Sequence, residues 1–206
     1  GNLDKGLAAA KRGDFATALR EWLAFAEKGD ADAQFNLSLM YGRGDGVAQD
    51  YGQAVEWCGR AAEQGHGMAQ TNLGVMYERG DGVVQDYGQA VKWYHRAAEQ
   101  GFAEAQLNLG VLYHAGRGVQ QDYGQAVQWF HRAAEQGHTD AQFNLGVMFA
   151  KGLGVKQDDR QAVEWYRRAA EEGDATAQNS LGWMYDKGRG VLQDYRQAVE
   201  WYRRAA

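Results

Sequence analysis

The sequence predicts an all-α chain of 36-residue helix–turn–helix repeats that stack into a solenoid. The pair Ala33-Gln34 recurs every 36 residues as far as Ala177-Gln178, and Trp57 recurs with the same step as far as Trp201. The 206 residues include 28 glycines and no proline, which indicates many regularly placed turns. We therefore expect one repeat domain over residues 1–206. It would comprise a degenerate N-terminal copy at 3–30 and full repeats at 31–66, 67–102, 103–138, 139–174 and 175–206.

The first helix of each repeat is predicted by an apolar stripe. In residues 31–66 the stripe has the helical spacing i, i+4, i+7, i+8 and consists of Ala33, Leu37, Met40 and Tyr41. Residues 42–47 contain three glycines. A segment so rich in glycine predicts a turn after this helix.

The second helix of each repeat is predicted to begin at an aspartate. Asp50 with Gln53 three residues later is a capping-box pattern, in which each side chain binds a free backbone N–H group. The stripe that follows has the spacing i, i+3, i+4, i+7 and consists of Ala54, Trp57, Cys58 and Ala61. Gly65 is expected to end the helix in a left-handed conformation.

A helical hairpin of this kind must bury its stripes against neighbouring repeats. We therefore expect the tryptophan series to form the core between repeats, and Cys58 to be a buried filler where other copies have an aromatic residue. The chain stops at Ala206 within or just after a second helix. Trp201 and Tyr202 are consequently expected to be partly uncovered, so that this end could support end-to-end self-association.

The composition of the chain limits the classes of partner that it is expected to bind. The net charge is −5 and no basic face is evident, which argues against nucleic acid as a partner. No apolar run is long enough to span a membrane. The single cysteine cannot form an intramolecular disulfide.

Residues 67–101 carry the pattern Ala69-Gln70, Asn72-Leu73-Gly74, Met76-Tyr77, Gly80, Gly82-Val83, Gln85-Asp86-Tyr87, Gln89-Ala90-Val91, Trp93-Tyr94 and Arg96-Ala97-Ala98-Glu99-Gln100-Gly101. This unit closely resembles the Sel-1-like repeat (SLR) family, which is similar to tetratricopeptide repeats. The resemblance implies a right-handed superhelix whose first helices line a concave face, and an adaptor or scaffold role in bacterial protein complexes. The chain departs from family copies that have proline after Gly-Val, and from the branch that pairs cysteines across each hairpin.

The resemblance also bears on localisation. Family members often act at the bacterial envelope, in secretion or in host contact. The chain begins Gly1-Asn2 without a methionine, so we expect that upstream residues are missing. Together these features favour a periplasmic or secreted protein over a cytoplasmic one.

A polar position on the first helices is the first candidate for ligand binding. It is occupied by Asn36, Asn72, Asn108 and Asn144, and by Ser180 in the last copy. In the related tetratricopeptide proteins the equivalent position can present an amide to a peptide backbone, and asparagine can both donate and accept. The alternative is that each asparagine bonds its own helix or the next one.

Two neighbouring positions vary between copies and would set specificity. Apolar side chains that face a groove are unusual unless a partner covers them. We therefore expect Phe35, Phe143 and Trp183 to contact the ligand. The alternative is that these side chains touch the next repeat instead.

No residue pattern predicts a catalytic site, a metal site or a cofactor. The five histidines have neither the spacing nor a cysteine partner that a metal site requires. The sequence therefore predicts a protein–protein interaction scaffold that binds a peptide or protein segment on its concave face. The alternatives are a regulatory subunit that docks by its convex face or its C-terminal end, and an envelope-associated hydrolase.

Overall fold

The computed structural model describes residues 3–206, which contain twelve α-helices and no β-strand. The odd-numbered helices are the first helices of the repeats and the even-numbered ones are the second helices. Their bounds are α1 Leu3–Lys11, α2 Phe15–Ala26, α3 Ala31–Arg43, α4 Tyr51–Glu63, α5 Gly67–Arg79, α6 Tyr87–Glu99, α7 Ala103–Ala115, α8 Tyr123–Glu135, α9 Thr139–Lys151, α10 Asp159–Glu171, α11 Ala175–Lys187 and α12 Tyr195–Ala205. The predicted all-α repeat fold is confirmed.

The chain divides into two compact units, Gly1–Phe102 and Ala103–Ala206, and the division falls between two repeats. Within each unit the first helix of a repeat packs against its own second helix, which in turn packs against the next first helix. Each unit thus contains three consecutive helical hairpins that share their apolar faces.

A small residue faces a large one where the two helices of a repeat meet. A Cβ atom placed on Gly74 would lie 2.6 Å from ring atoms of Tyr94, so only glycine allows this approach. The same relationship joins Gly110 to Phe130, Gly146 to Tyr166 and Gly182 to Tyr202. In the repeat 31–66 the two positions hold Ser38 and Cys58, and both are buried as predicted for Cys58.

The predicted packing of tryptophan between consecutive repeats is confirmed for Trp57, Trp93, Trp165 and Trp201. Trp57 shares a core cluster with Trp22 of the preceding repeat and with Met40, and the Arg60 guanidinium lies 4.5 Å from its ring centroid. The expectation that Trp201 would be uncovered is wrong, because its side chain packs back into the cluster of Tyr166 and is only 8% exposed. Its neighbour Tyr202 is 38% exposed.

The aspartate caps form, but only as half of the predicted capping box. The Asp50 carboxylate accepts a hydrogen bond from the backbone N–H of Gln53 at 3.0 Å, as predicted. The backbone N–H of Asp50 donates instead to the Tyr41 carbonyl at 2.9 Å. That group is therefore not available to Gln53, and the same contact recurs at the start of each later second helix. The predicted left-handed stop is present at Gly65, where φ is +90°.

The glycine turn is shaped by contact with the preceding repeat. Gly82 has a φ of +73°, and a Cβ atom there would lie 2.3 Å from the Tyr51 carbonyl oxygen. Glycine is thus required both for the backbone conformation and for the close approach. The turn also carries Gln85, whose side-chain amide donates to the Glu78 carbonyl at the end of α5.

The glutamine that marks each repeat is buried, and in the repeats 31–66 and 67–102 it links consecutive second helices. The Gln70 amide donates to the Ala62 carbonyl of the preceding repeat at 3.0 Å. Its oxygen accepts from the Gln100 amide at 2.7 Å, 30 residues later in the chain. Gln34 makes the same pair of bonds with Ala26 and Gln64, so the network satisfies buried polar groups at the ends of the second helices.

Candidate binding surface on the first helices

The asparagine series is half-buried on the first helices. Within residues 3–206, the side chains of Asn36, Asn72, Asn108 and Asn144 make no hydrogen bond. The alternative interpretation, in which each amide bonds its own helix or the next, is therefore not what this structure shows. The last copy differs, because the Ser180 hydroxyl donates to the Thr176 carbonyl of its own helix at 2.9 Å.

Three surface hollows share one construction. In each, two consecutive first helices form the walls and an aromatic residue of the intervening second helix forms the floor. We call them the α1–α3, α7–α9 and α9–α11 hollows after their walls, and their volumes are about 350, 410 and 420 Å³. Each is large enough to receive an amino-acid side chain or two.

The α7–α9 hollow lies beside one asparagine of the series. Its walls include Val111 of α7 together with Phe143, Asn144 and Val147 of α9, and its floor includes Phe130 of α8. Val111 is exposed, whereas Phe143 and Val147 are half-buried. An unpartnered amide thus lies at the edge of an apolar depression, an arrangement suited to a peptide that offers both backbone and side chain.

The α9–α11 hollow is built in the same way one repeat later. Trp183, Asn179 and Ser180 of α11 line it, and Tyr166 of α10 forms the floor. Trp183 is 41% exposed, and the Arg189 guanidinium lies 5.3 Å from its ring centroid. Burial raises the pKa of Tyr166 to about 12, so its hydroxyl stays protonated in any ordinary buffer.

Phe35, one of the three predicted contact residues, is buried. It is only 9% exposed, belongs to the core cluster of Cys58, and its ring lies 4.8 Å from the ring of His66. Phe35 thus packs against Ala69 and Leu73 of the next repeat, and we leave it out of the proposed ligand contacts. Phe143 occupies the same position but lines the α7–α9 hollow.

The cations around the α9–α11 hollow were missed by the sequence analysis. Arg189 is held by two hydrogen bonds to the Asp159 carboxylate, at 2.9 and 2.6 Å, which raise its pKa. Lys151, at the end of α9, lines both hollows of the second unit. Most first helices have a basic residue in their last turn, where it interacts favourably with the helix dipole. The sequence therefore gave no reason to assign Lys151 a role in binding.

His66 has a structural role at the start of a helix. His66 is the N-cap of α5: its Nδ1 accepts from the Ala69 N–H at 3.1 Å, while its Nε2 lies 3.0 Å from an Asp32 carboxylate oxygen. Across residues 3–206, no three histidine, cysteine or acidic side chains are grouped as a metal site would require. None of the helices described there is long and apolar enough to cross a membrane.

The repeat pattern matches a known family model. The model of the Sel1 repeat matches residues 31–66, 67–102, 103–138, 139–174 and 175–206. The chain belongs to the Sel1 repeat family. Sel1 repeat proteins are generally protein-interaction scaffolds and typically not enzymes.

Solved structures of bacterial Sel1 repeat proteins are similar to this one. A Sel1 repeat protein from Oxalobacter formigenes is 37% identical with a TM-score of 0.95, and the match covers 99% of this chain and 84% of that one. The protective antigen c5321 of uropathogenic Escherichia coli strains, which displays an SLR fold, is 44% identical with a TM-score of 0.89 over 91% of this chain. The match spans only 40% of the antigen's length. Among functionally curated proteins, none matches this Sel1 repeat chain.

Proposed function

We propose that this Sel1 repeat protein is a scaffold that binds an extended peptide segment of a partner protein on its first helices. The observation that carries the proposal is the pairing of an unpartnered asparagine amide with an apolar hollow. Asn144 lies at the α7–α9 hollow, and Asn36 lies at the α1–α3 hollow. In the last copy, Asn179 and Ser180 lie at the α9–α11 hollow.

The chemistry of this surface suits a peptide backbone. An asparagine amide can donate to a backbone C=O and accept from a backbone N–H at once. Such bonds hold a chain in place without reading its sequence, and the adjacent hollows would select the side chains. Binding would need little rearrangement, because the hollows are already formed in the structure and their walls are regular helices.

Selection from a random peptide library on the intact chain tests the proposal. We expect selected peptides to bind the parent and to lose about tenfold or more in affinity when both Asn108 and Asn144 are changed to alanine. The double change of Gln53 and Gln89 to alanine is a matched control, since these amides lie on the second helices. Equal binding by the Asn108/Asn144 variant, with an unchanged thermal melt, would overturn the asparagine model.

A further inference from the structure

Helix α9 is a wall shared by the two hollows of the second unit. Phe143, Asn144 and Val147 line the α7–α9 hollow on one side of it, and Ala150 lines the α9–α11 hollow on the other. Lys151 lines both. Two apolar depressions therefore lie side by side, with one ammonium group at their common edge.

The charge around these hollows is opposite in sign to that of the whole chain. Their described linings include Lys151 and Arg189, and none of the described lining residues is acidic. Arg189 is neutralised by Asp159, but Lys151 makes no ion pair with any residue of 3–206. A chain of net charge −5 thus presents a local cationic site between two apolar ones.

The α1–α3 hollow offers an internal comparison. It also has cations in its walls, Lys11 and Arg43, but Asp45 lines it as well. The carboxylate would oppose a second negative charge there. The paired hollows of the second unit therefore differ from the α1–α3 hollow in that no carboxylate lines them.

The width of α9 sets the spacing of any ligand that fills both hollows. A helix with its side chains is ~10 Å across, so the two hollows lie about one helix width apart. A polyproline II segment rises ~3.1 Å per residue with three residues per turn, so side chains three positions apart lie ~9 Å apart on one side of it. The two residues between them point to the other two sides of the three-residue turn, within reach of a long lysine side chain.

We propose that the paired hollows bind an acidic peptide segment in which two apolar residues, three positions apart, flank acidic residues that face Lys151. The inference rests on the proposed function and names the partner's chemistry: one apolar side chain enters each hollow, and a carboxylate pairs with the ammonium group. Aromatic or large aliphatic residues fit best, because the floors are Phe130 and Tyr166 and the outer wall is Trp183.

Fluorescence anisotropy with synthetic peptides tests this proposal. The probe is a labelled peptide carrying Phe-Glu-Glu-Phe between glycine-serine flanks, and its neutral counterpart carries Phe-Gln-Gln-Phe. At low salt we expect the acidic peptide to bind the parent about fivefold more tightly than the neutral one, with the preference weakening as salt is added. Replacing either phenylalanine by alanine should weaken binding about tenfold.

Variants of the intact protein show which side chains cause the preference for the acidic peptide. Lys151→Gln should remove the preference for the acidic peptide, so that the two peptides bind the variant equally. Lys156→Gln is the matched control, since this lysine lies in the turn after α9 and lines neither hollow. Trp183→Ala should weaken the binding of both peptides about tenfold and leave the thermal melt of the protein unchanged.

The binding results distinguish a failure of the paired-hollow proposal from a failure of the proposed function. If both peptides bind equally and Asn144→Ala weakens both, the proposed function stands and the acidic preference is overturned. If neither peptide binds while library-selected peptides still depend on the asparagines, the paired-hollow inference alone is overturned. A preference for the acidic peptide that survives Lys151→Gln also overturns it.

Discussion

Gly74 and Tyr94 meet so closely that a single added carbon would collide with the ring. A Cβ atom on Gly74 would lie 2.6 Å from two ring atoms of Tyr94, which is itself fully buried. The relationship joins the first and second helices of one repeat and returns in the three later copies. It explains why a residue that disfavours helices recurs in the middle of these first helices.

The first prediction follows from that contact. Gly74→Ala should lower the free energy of unfolding by about 1–3 kcal/mol, because the methyl group overpacks the helix crossing. Gly59→Ala is the matched control: Gly59 is also inside a helix, but a Cβ atom there would meet nothing within 4 Å. That control should be neutral or stabilising by up to about 1 kcal/mol. Urea denaturation of both variants decides the comparison, and equal stabilities would contradict it.

A second prediction concerns Ser38 and Cys58, which hold the corresponding positions in the repeat 31–66. The side chain is larger on the first helix and much smaller on the second, so Ser38 compensates for only part of the volume that Cys58 lacks. Cys58→Tyr alone should destabilise the protein by about 1–3 kcal/mol through overpacking. Adding Ser38→Gly should recover most of that loss, with a coupling energy of about 0.5–3 kcal/mol. Strict additivity in a double-mutant cycle would show that the two positions are independent.

A third prediction concerns the glutamine network at Gln142. The oxygen of this buried side chain has no hydrogen-bond donor, whereas the oxygens of Gln34, Gln70 and Gln106 each accept from a glutamine 30 residues later. Residue 172 is a glutamate, and its ionised carboxylate has no hydrogen to donate. Glu172→Gln should therefore stabilise the protein by about 1 kcal/mol. Glu171→Gln changes an exposed neighbouring residue and should not stabilise the protein. Thermal denaturation of the two variants would distinguish these outcomes.

A fourth prediction concerns pH. Burial raises the pKa of the Cys58 thiol from 9.0 to about 11, with a smaller opposite effect from the Ser38 hydroxyl. The folded state holds this proton more tightly than the unfolded state does. The thiol's contribution is thus complete below pH 9 and is lost as pH rises towards 11. Relative to a Cys58→Ser variant, the free energy of unfolding of the parent should fall by up to about 2 kcal/mol over that interval. Parallel pH profiles for the two proteins would refute the assignment.

The periodic features of the fold could be predicted because each depends on a residue and its nearest neighbours in the helix. The helices, the aspartate caps, the glycine stops and the tryptophan core are of this kind. The capping box was only half right, because the Tyr41 carbonyl that takes the Asp50 N–H lies in another helix. Spacing within a helix gives no information about that partner.

Exposure of the candidate site could not be predicted, because it depends on which residue lies opposite. Phe35 and Phe143 occupy the same position of the repeat and are identical in chemistry. The His66 ring lies against Phe35 and helps to cover it. The equivalent residue for Phe143 is Asp174, which caps the backbone N–H of Ala177 as His66 caps that of Ala69 but has no ring to cover the phenylalanine. The residue 31 positions after the phenylalanine is thus a histidine in one copy and an aspartate in the other. The phenylalanine is buried in the copy with the histidine and lines the α7–α9 hollow in the copy with the aspartate.

Side-chain amide signals of the asparagines, followed by NMR while a library-selected peptide is added to the ¹⁵N-labelled chain, show directly whether the first helices bind the peptide backbone. If the first helices bind the peptide backbone, the amides of Asn108 and Asn144 should shift and become protected from solvent exchange. The amides of Gln53 and Gln89 on the second helices should stay unchanged. Saturating peptide that moves the second-helix signals and leaves both asparagines unaffected would contradict binding on the first helices.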